Sequence, residues 1–271
     1  RFSYSNPNLQ QIPARHAILG PLIRSIFIPE KEHEWGIFDY SQQEPRIVVH
    51  YASMKNFTGA DKFVDSYRED DSTDFHKMVS EIADIPRKKA KTINLGLFYG
   101  MGKGKLMSQL GINLEDATEM LANYNERVPF VKQLMNDTMN KASKKGYLST
   151  IEGRRCRFEL YEPTNEWGQK ALPFKEAKDE YGEHMIKRAW TYKALNRLIQ
   201  GSAADQTKKA MLELSKEGYL AHIQVHDELD FSVATEKDKS KIKEIMEHAV
   251  KLEVPSKVDV ECGDSWGDAG D

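Results

Sequence analysis

The 271-residue chain carries 39 basic and 42 acidic residues, a formal net charge of −3, with 30% charged and 39% hydrophobic positions. That is a soluble globular composition with room for one large core or two smaller ones, and it argues against indiscriminate nucleic-acid binding, because any basic surface must be local. No apolar run is long enough for a membrane span, no signal peptide is present, and the distant Cys156 and Cys262 form neither a ligand pair nor a disulfide framework, so a reducing compartment is the default.

In chain order, Asn6-Pro7-Asn8 predicts a turn within a polar loop carrying Arg1, Asn8, Gln10 and Gln11. Gly36–Tyr40 reads as a short buried strand ending in Asp39, and a carboxylate at a strand tip is well placed to hold a metal rigidly. Ser41–Arg46 passes into a helical pattern through Ile47, Val48, His50 and Tyr51; Pro45 fits its first turn, and the helix dipole favours Glu44 there. Thr73-Asp74-Phe75-His76 starts another helix, with Met78, Val79 and Ile82 apolar, and Pro86 ends it.

Arg87–Gly100, RKKAKTINLGLFYG, follows as a helix. Arg87, Lys91, Leu95 and Tyr99 recur every four residues and form a drifting stripe roughly 18 Å long. Two cations open the stripe and an aromatic ring closes it, which suits a polyphosphate at one end and a base at the other. A solvated amphipathic face gives the same pattern. Gly96 and Gly100 imply close backbone approach or a helix end. The run from Met101 to Lys105 is too glycine-rich to continue the helix, and it lacks the spacing of a phosphate-binding loop.

Glu115–Lys144 is helical with a break near Pro129, and Gly146–Arg155 is a basic turn. Lysine and arginine cluster at Lys141, Lys144, Lys145, Arg154, Arg155 and Arg157. Glu159–Glu183 is acidic and turn-rich and yields no functional reading. His184–Ser215 returns to a long helical pattern in which Asn196 and Gln200 share a face. Leu220–Phe231 reads as a hairpin with His226-Asp227-Glu228 at its tip. Adjacent acids at a tight turn are ordinary turn residues; paired with Asp39 they become metal ligands.

The stretch Arg87–Gly100 resembles motif B of the family A DNA polymerases, the DNA polymerase I family. DYSQQEPR at Asp39–Arg46 resembles motif A, and VHDE at Val225–Glu228 resembles motif C, in the expected order over most of the chain. The opening RFSYSNPNLQQIPAR is similar to a family segment beside the primer end, which implies a fragment beginning inside that motif, with thumb and exonuclease-like domains upstream. VPSKVDVECGDSW resembles the family's closing strand and its Asp-Trp element, and the longer 159–183 segment is reminiscent of phage-encoded members.

The resemblance implies an α+β fold: a palm whose small antiparallel sheet carries the catalytic carboxylates, over 1–72 and 191–271, and a mainly helical fingers subdomain over 73–190. It implies template-directed addition of deoxynucleotides to a primer 3′-hydroxyl by a monomer in the cytoplasm of a bacterial or phage-infected cell. Two Mg²⁺ ions would be bridged by Asp39 and Asp227, with the Tyr40 backbone carbonyl as a ligand and Glu228 assisting. The nucleotide would meet Tyr40, Ser41, Gln42, Glu44 (excluding a 2′-hydroxyl), His76, Arg87, Lys91 (proton donor to pyrophosphate), Leu95 and Tyr99. Primer–template DNA would meet Arg1, Asn8, Gln10, Arg154, Asn196, Gln200 and His226. Leu95 departs from the family, where Phe or Tyr is usual.

Two other classes use part of this set. A metal-dependent phosphohydrolase could draw on His226-Asp227, His76 and Asp39, yet has no use for the Arg87–Gly100 stripe or for Asn196 and Gln200. A non-catalytic nucleic-acid clamp needs no Asp39, Asp227 and Glu228 together. Single-subunit RNA polymerases share the architecture but lack a glutamate at the place of Glu44.

Overall fold

A computed structural model describes residues 4–12, 16–99, 101–166 and 168–269. In chain order the elements are α1 (Leu19–Arg24), β1 (Glu34–Tyr40), α2 (Gln43–Ser53), α3 (Ala60–Glu69), α4 (Phe75–Ala83), α5 (Arg87–Phe98), α6 (Lys103–Leu110), α7 (Leu114–Arg127), α8 (Pro129–Lys145), β2 (Tyr147–Ser149), β3 (Arg155–Arg157), β4 (Leu160–Pro163), β5 (Leu172–Pro173), α9 (Phe174–Tyr181), β6 (Ile186–Arg188), α10 (Ala194–Lys216), β7 (Ile223–Val225), β8 (Glu228–Val233), α11 (Glu236–His248), β9 (Val258–Gly263) and α12 (Trp266–Ala269). The fold is α+β, and among the described residues no helix is long and apolar enough to cross a membrane.

The chain divides into two compact units, one of Arg1–Ile47, Tyr67–Ser72 and Ala203–Asp271, the other of Val48–Ser66 and Thr73–Ser202. The first is built on an antiparallel sheet of order β7-β8-β1-β9. Side chains alternate across a strand, so β1 sends Phe38 and Tyr40 one way and Trp35 and Ile37 the other. Phe38 and Tyr40 join Leu229, Phe231 and Val233 under Ala210 and Leu214 of α10 and Ile242 and Met246 of α11. Trp35 and Ile37 pack with Ile223, Trp266 and Ala269. Gly267 of α12 is needed for close approach: a Cβ there would lie 2.7 Å from the Pro21 carbonyl oxygen of α1.

The second unit is mainly helical, and its helix ends are legible in local chemistry. Asp74 caps α4, its carboxylate accepting the His76 and Lys77 N–H groups at 2.8 and 3.1 Å. Pro129 sits at the first position of α8, where a missing N–H costs nothing, and Gly146 ends that helix at φ +76°. The rings of Phe63, Phe75, Phe98 and Phe130 knit α3, α4, α5 and α8 at centroid separations of 5.0–6.4 Å.

Three stretches differ from the sequence reading. The glycine-rich run does stop α5, yet Lys103 opens α6 with Gly102 as its N-cap, so Gly104 lies inside a helix. Residues 159–183 hold α9 and two strands of a small sheet of order β5-β4-β6; its strands, of two to four residues, are too short for periodicity to reveal. The long helix begins at Ala194 rather than His184. Residues 186–188 pair with β4 instead, and Trp190 at φ +56° turns the chain before α10. The sequence boundary at 190/191 falls inside the helical unit, as do residues 48–66.

Arg46 is the most heavily bonded buried cation of the first unit. At 2% exposure its guanidinium donates to the carbonyls of Ser41 at 2.8 Å, Pro255 at 2.6 Å and Asp71 at 2.5 Å, and lies 4.5 Å over the Tyr67 ring. Lysine cannot reproduce a planar fork against three carbonyls. Arg46→Lys is expected to lower the unfolding free energy by about 3 kcal/mol, seen as a lower urea midpoint with an unchanged m value. A midpoint within error of wild type would show that the fork contributes nothing net.

Candidate active site

The period of two that buries Phe38 and Tyr40 puts Asp39 on the opposite face of β1, with Trp35 and Ile37. Antiparallel register then decides its company. Asp39 lies opposite Glu228 of β8 and Asp259 of β9, while Ile37 lies opposite Asp230 and Glu261. Directly opposed residues point to the same side of a sheet, so five carboxyl groups share one face. Asp227 adjoins them in the two-residue turn between β7 and β8, where the Tyr40 N–H donates to its carbonyl at 3.4 Å.

Like charges this close shift one another's protonation. Burial, then Asp227, Glu228, Asp259 and Glu261, push the Asp39 carboxyl up to about 8. Asp230 is fully buried, and burial followed by the charge of Glu228 and a carboxyl–carboxyl contact with it pushes it up to about 9. Burial also raises Glu228, against the pull of Arg24 and of the Trp266 indole N–H, which donates to it at 3.3 Å. Among the described residues no three His, Cys, Asp or Glu side chains form a ready-made ligand cage. An acidic, under-compensated face fits a hard divalent cation, which takes few protein carboxylates and completes its shell with water and phosphate oxygens.

The turn is held from behind. His226, at φ +57°, directs its carbonyl to the Gln224 amide at 2.6 Å, and Gln224 accepts from the Gln10 side chain at 3.2 Å. Asn8 caps the short helix bearing Gln10. Gln42 at φ +52° turns the chain from β1 into α2, beside half-buried Ser41 and with half-buried Glu44 in the first turn. Arg1 lies outside the described residues.

The second unit carries the stripe. Arg87 and Lys91 are exposed on α5, Leu95 is half-buried, and Tyr99 caps the helix end, so the helix closes before Gly100, which is outside the described residues. Leu95 and Tyr99 line a pocket of about 530 Å³ with Thr92, Met101 and Tyr192. Arg87 pairs with Asp74, its Nε donating at 2.8 Å. On the buried side of α5, the Asn94 amide bonds His76 Nδ1 at 2.9 Å and accepts the Tyr124 hydroxyl at 2.6 Å. Burial takes His76 down to about 4, with Lys91 and Arg87 adding to it and Asp74 opposing. Its imidazole is therefore neutral near pH 7, and with Nδ1 accepting, Nε2 carries the proton.

On α10, Asn196 and Gln200 are half-buried and the Asn196 side-chain oxygen has no hydrogen-bond partner; Arg154 donates to the Gly201 carbonyl at 2.9 Å. Sequence reasoning missed Asp230, Gln224, Trp266, Asn94 and Tyr124. Gln224 carried a usable signal, as a polar residue between Ile223 and Val225 in a short strand; Asp230 sits in a strand that alternates polar and apolar residues and carried none. Trp266 was marked only by its resemblance to the family's Asp-Trp element, and Asn94 and Tyr124 carried no signal.

The folded Asp39 binds a proton that the unfolded chain releases above its ordinary value of 3.8, so its stability penalty grows between about pH 4 and pH 8 and is complete above that window. Asp39→Asn is expected to match wild type near pH 4 and to exceed it by on the order of 2 kcal/mol at pH 8. Thermal unfolding in chelator at both values checks this, and equal stability at pH 8 would remove the repulsion from the account.

The sequence model of DNA polymerase family A matches residues 1–268. A DNA-directed DNA polymerase of Pseudomonas phage M6 is 38% identical over 98% of this chain and 43% of its own length. DNA polymerase I of Bacillus subtilis (strain 168) is 35% identical over 99% of this chain and 30% of its own. The chain thus spans less than half the length of these relatives. The POL domain of Pol1 from M. smegmatis, solved in complex with DNA primer-template and dNTP, superposes with a TM-score of 0.79 at 31% identity, covering all of this chain and 46% of that one. The chain belongs to DNA polymerase family A.

Proposed function

We propose that the chain performs template-directed DNA synthesis in replication or repair, joining deoxynucleotides to a primer 3′-hydroxyl and releasing pyrophosphate. The observation that carries this is the crowding of Asp39 with Glu228, Asp230 and Asp259 on one sheet face beside Asp227. The first unit is read as palm and the second as fingers, acting as a monomer in the cytoplasm of a bacterial or phage-infected cell.

Asp39 and Asp227 would hold Mg²⁺ with the Tyr40 carbonyl, Glu228 assisting. Two such ions, when bound, supply activation of the primer hydroxyl and charge stabilisation at the leaving oxygen. Arg87 and Lys91 grip the triphosphate, with Lys91 handing a proton to pyrophosphate. His76 donates to it from Nε2, because Asn94 occupies Nδ1. Ser41 and Gln42 line the nucleotide, Tyr99 stacks at its base, and Glu44 excludes a 2′-hydroxyl. Arg1, Asn8, Gln10, Arg154, Asn196, Gln200 and His226 contact the primer–template, where polar side chains sense groove geometry rather than sequence. Primer extension with Mg²⁺ and deoxynucleotides, set against ribonucleotides, tests the reading.

Asp39→Asn or Asp227→Asn is expected to cut single-turnover incorporation by at least about 1000-fold with circular dichroism unchanged. Ample activity in either variant at saturating Mg²⁺ sinks the shared-metal assignment.

Leu95 on this helix would face the sugar of the nucleotide, where a flexible aliphatic side chain positions it less tightly than a ring. Leu95→Phe is expected to raise the incorporation rate, and Leu95→Tyr to relieve discrimination against dideoxynucleotides. An unchanged dideoxy/deoxy ratio in Leu95→Tyr would move Leu95 away from the sugar.

A further inference from the structure

A second pocket, of about 280 Å³, opens within the helical unit between α8, the β2 strand and the end of α2. Leu198 of α10 forms part of its floor. At about 100° per residue, Leu198 sits some 200° around the helix from both Asn196 and Gln200, so this pocket lies on the flank of α10 turned away from them. It is separate from the face of α10 that carries Asn196 and Gln200.

Its lining is amphipathic. The floor is apolar, with Leu198 and Leu148, and Tyr51 and Tyr147 contribute rings. Lys55, Lys141 and Lys145 surround it, against one carboxylate among the lining residues, Asp137, which Lys141 already engages at 2.7 Å. Lys55 and Lys141 line the same pocket, and the nearness of Lys141, through its polar contact and then its charge, lowers the Lys55 pKa. Three lysine side chains around one pocket are stabilised by an anion that bridges them. Tyrosine rings beside a cationic rim suit a base attached to that anion.

We propose that this pocket is a second nucleotide site, taking a phosphate on Lys55, Lys141 and Lys145 and its base against the tyrosine-lined floor. The phosphate comes either from a free mononucleotide or from single-stranded DNA. The proposal goes beyond the polymerase reading and does not rest on it.

The test is a titration of the chain, labelled with ¹³C at the lysine ε-carbons, with thymidine monophosphate and with a short oligothymidylate, in chelator. The Lys55, Lys141 and Lys145 resonances should shift together and saturate. In the Lys55→Gln/Lys141→Gln double variant the midpoint read at Lys145 should weaken by at least about tenfold. Shifts with both probes assign the site to the nucleotide unit, and shifts with the oligonucleotide alone assign it to a strand. A Lys55 resonance unmoved by either, or an unchanged midpoint in the double variant, overturns the proposal. Primer extension by the double variant on a short template should match wild type, which separates failure here from failure of the active-site reading.

Discussion

Repulsion between carboxylates held one strand spacing apart is the constraint on which the first unit turns. Asp39 cannot move away from Glu228 and Asp259, because the backbone ladder that opposes them also seats Phe38 and Tyr40 beneath α10 and α11. A slip of one residue would relieve the acids and expose the core. Burial on one face thus sustains electrostatic strain on the other, and the strain is relieved by a proton or by a cation. An acidic face kept hungry for positive charge suits a divalent cation that completes its shell with water and phosphate oxygens, without a closed cage of protein ligands.

The helical unit solves a different problem. A cationic surface on α5 needs a fixed back, and the apolar packing around Phe75, Phe98 and Phe130 surrounds one polar chain, His76 to Asn94 to Tyr124. A buried amide bonded on both sides has one orientation available, so the imidazole next to it has one tautomer. Asp74 works twice, capping α4 and holding Arg87. Positioning of the imidazole comes from Asn94 and Tyr124, which are fully buried.

Much of this was legible in the sequence where periodicity and punctuation were strong. β1 ending in Asp39, the hairpin tip at His226-Asp227, and the breaks at Pro86 and Pro129 all follow from two-residue alternation, turn chemistry or proline. Asp230 was not legible, since an acid in an alternating strand reads as a solvated position and only cross-strand register shows otherwise. The strands at 160–163 and 186–188 are too short to have a period, and their pairing is set by partners far along the chain. Trp190 illustrates the remaining gap: an αL turn at a bulky residue overrode a helical pattern that continued on both sides.

The strand order carries a kinetic consequence. β1 precedes the helical unit along the chain, but both its neighbours, β8 and β9, come from beyond residue 227. Every residue of the helical unit emerges from the ribosome before either of them. While the helical unit is being synthesised the strand bearing Asp39 therefore has two unsatisfied edges and a hydrophobic face, the profile of a segment that aggregates or recruits a chaperone. Sheet closure is a long-range event, and slow folding is the expected cost of placing the first strand of the sheet between the last two.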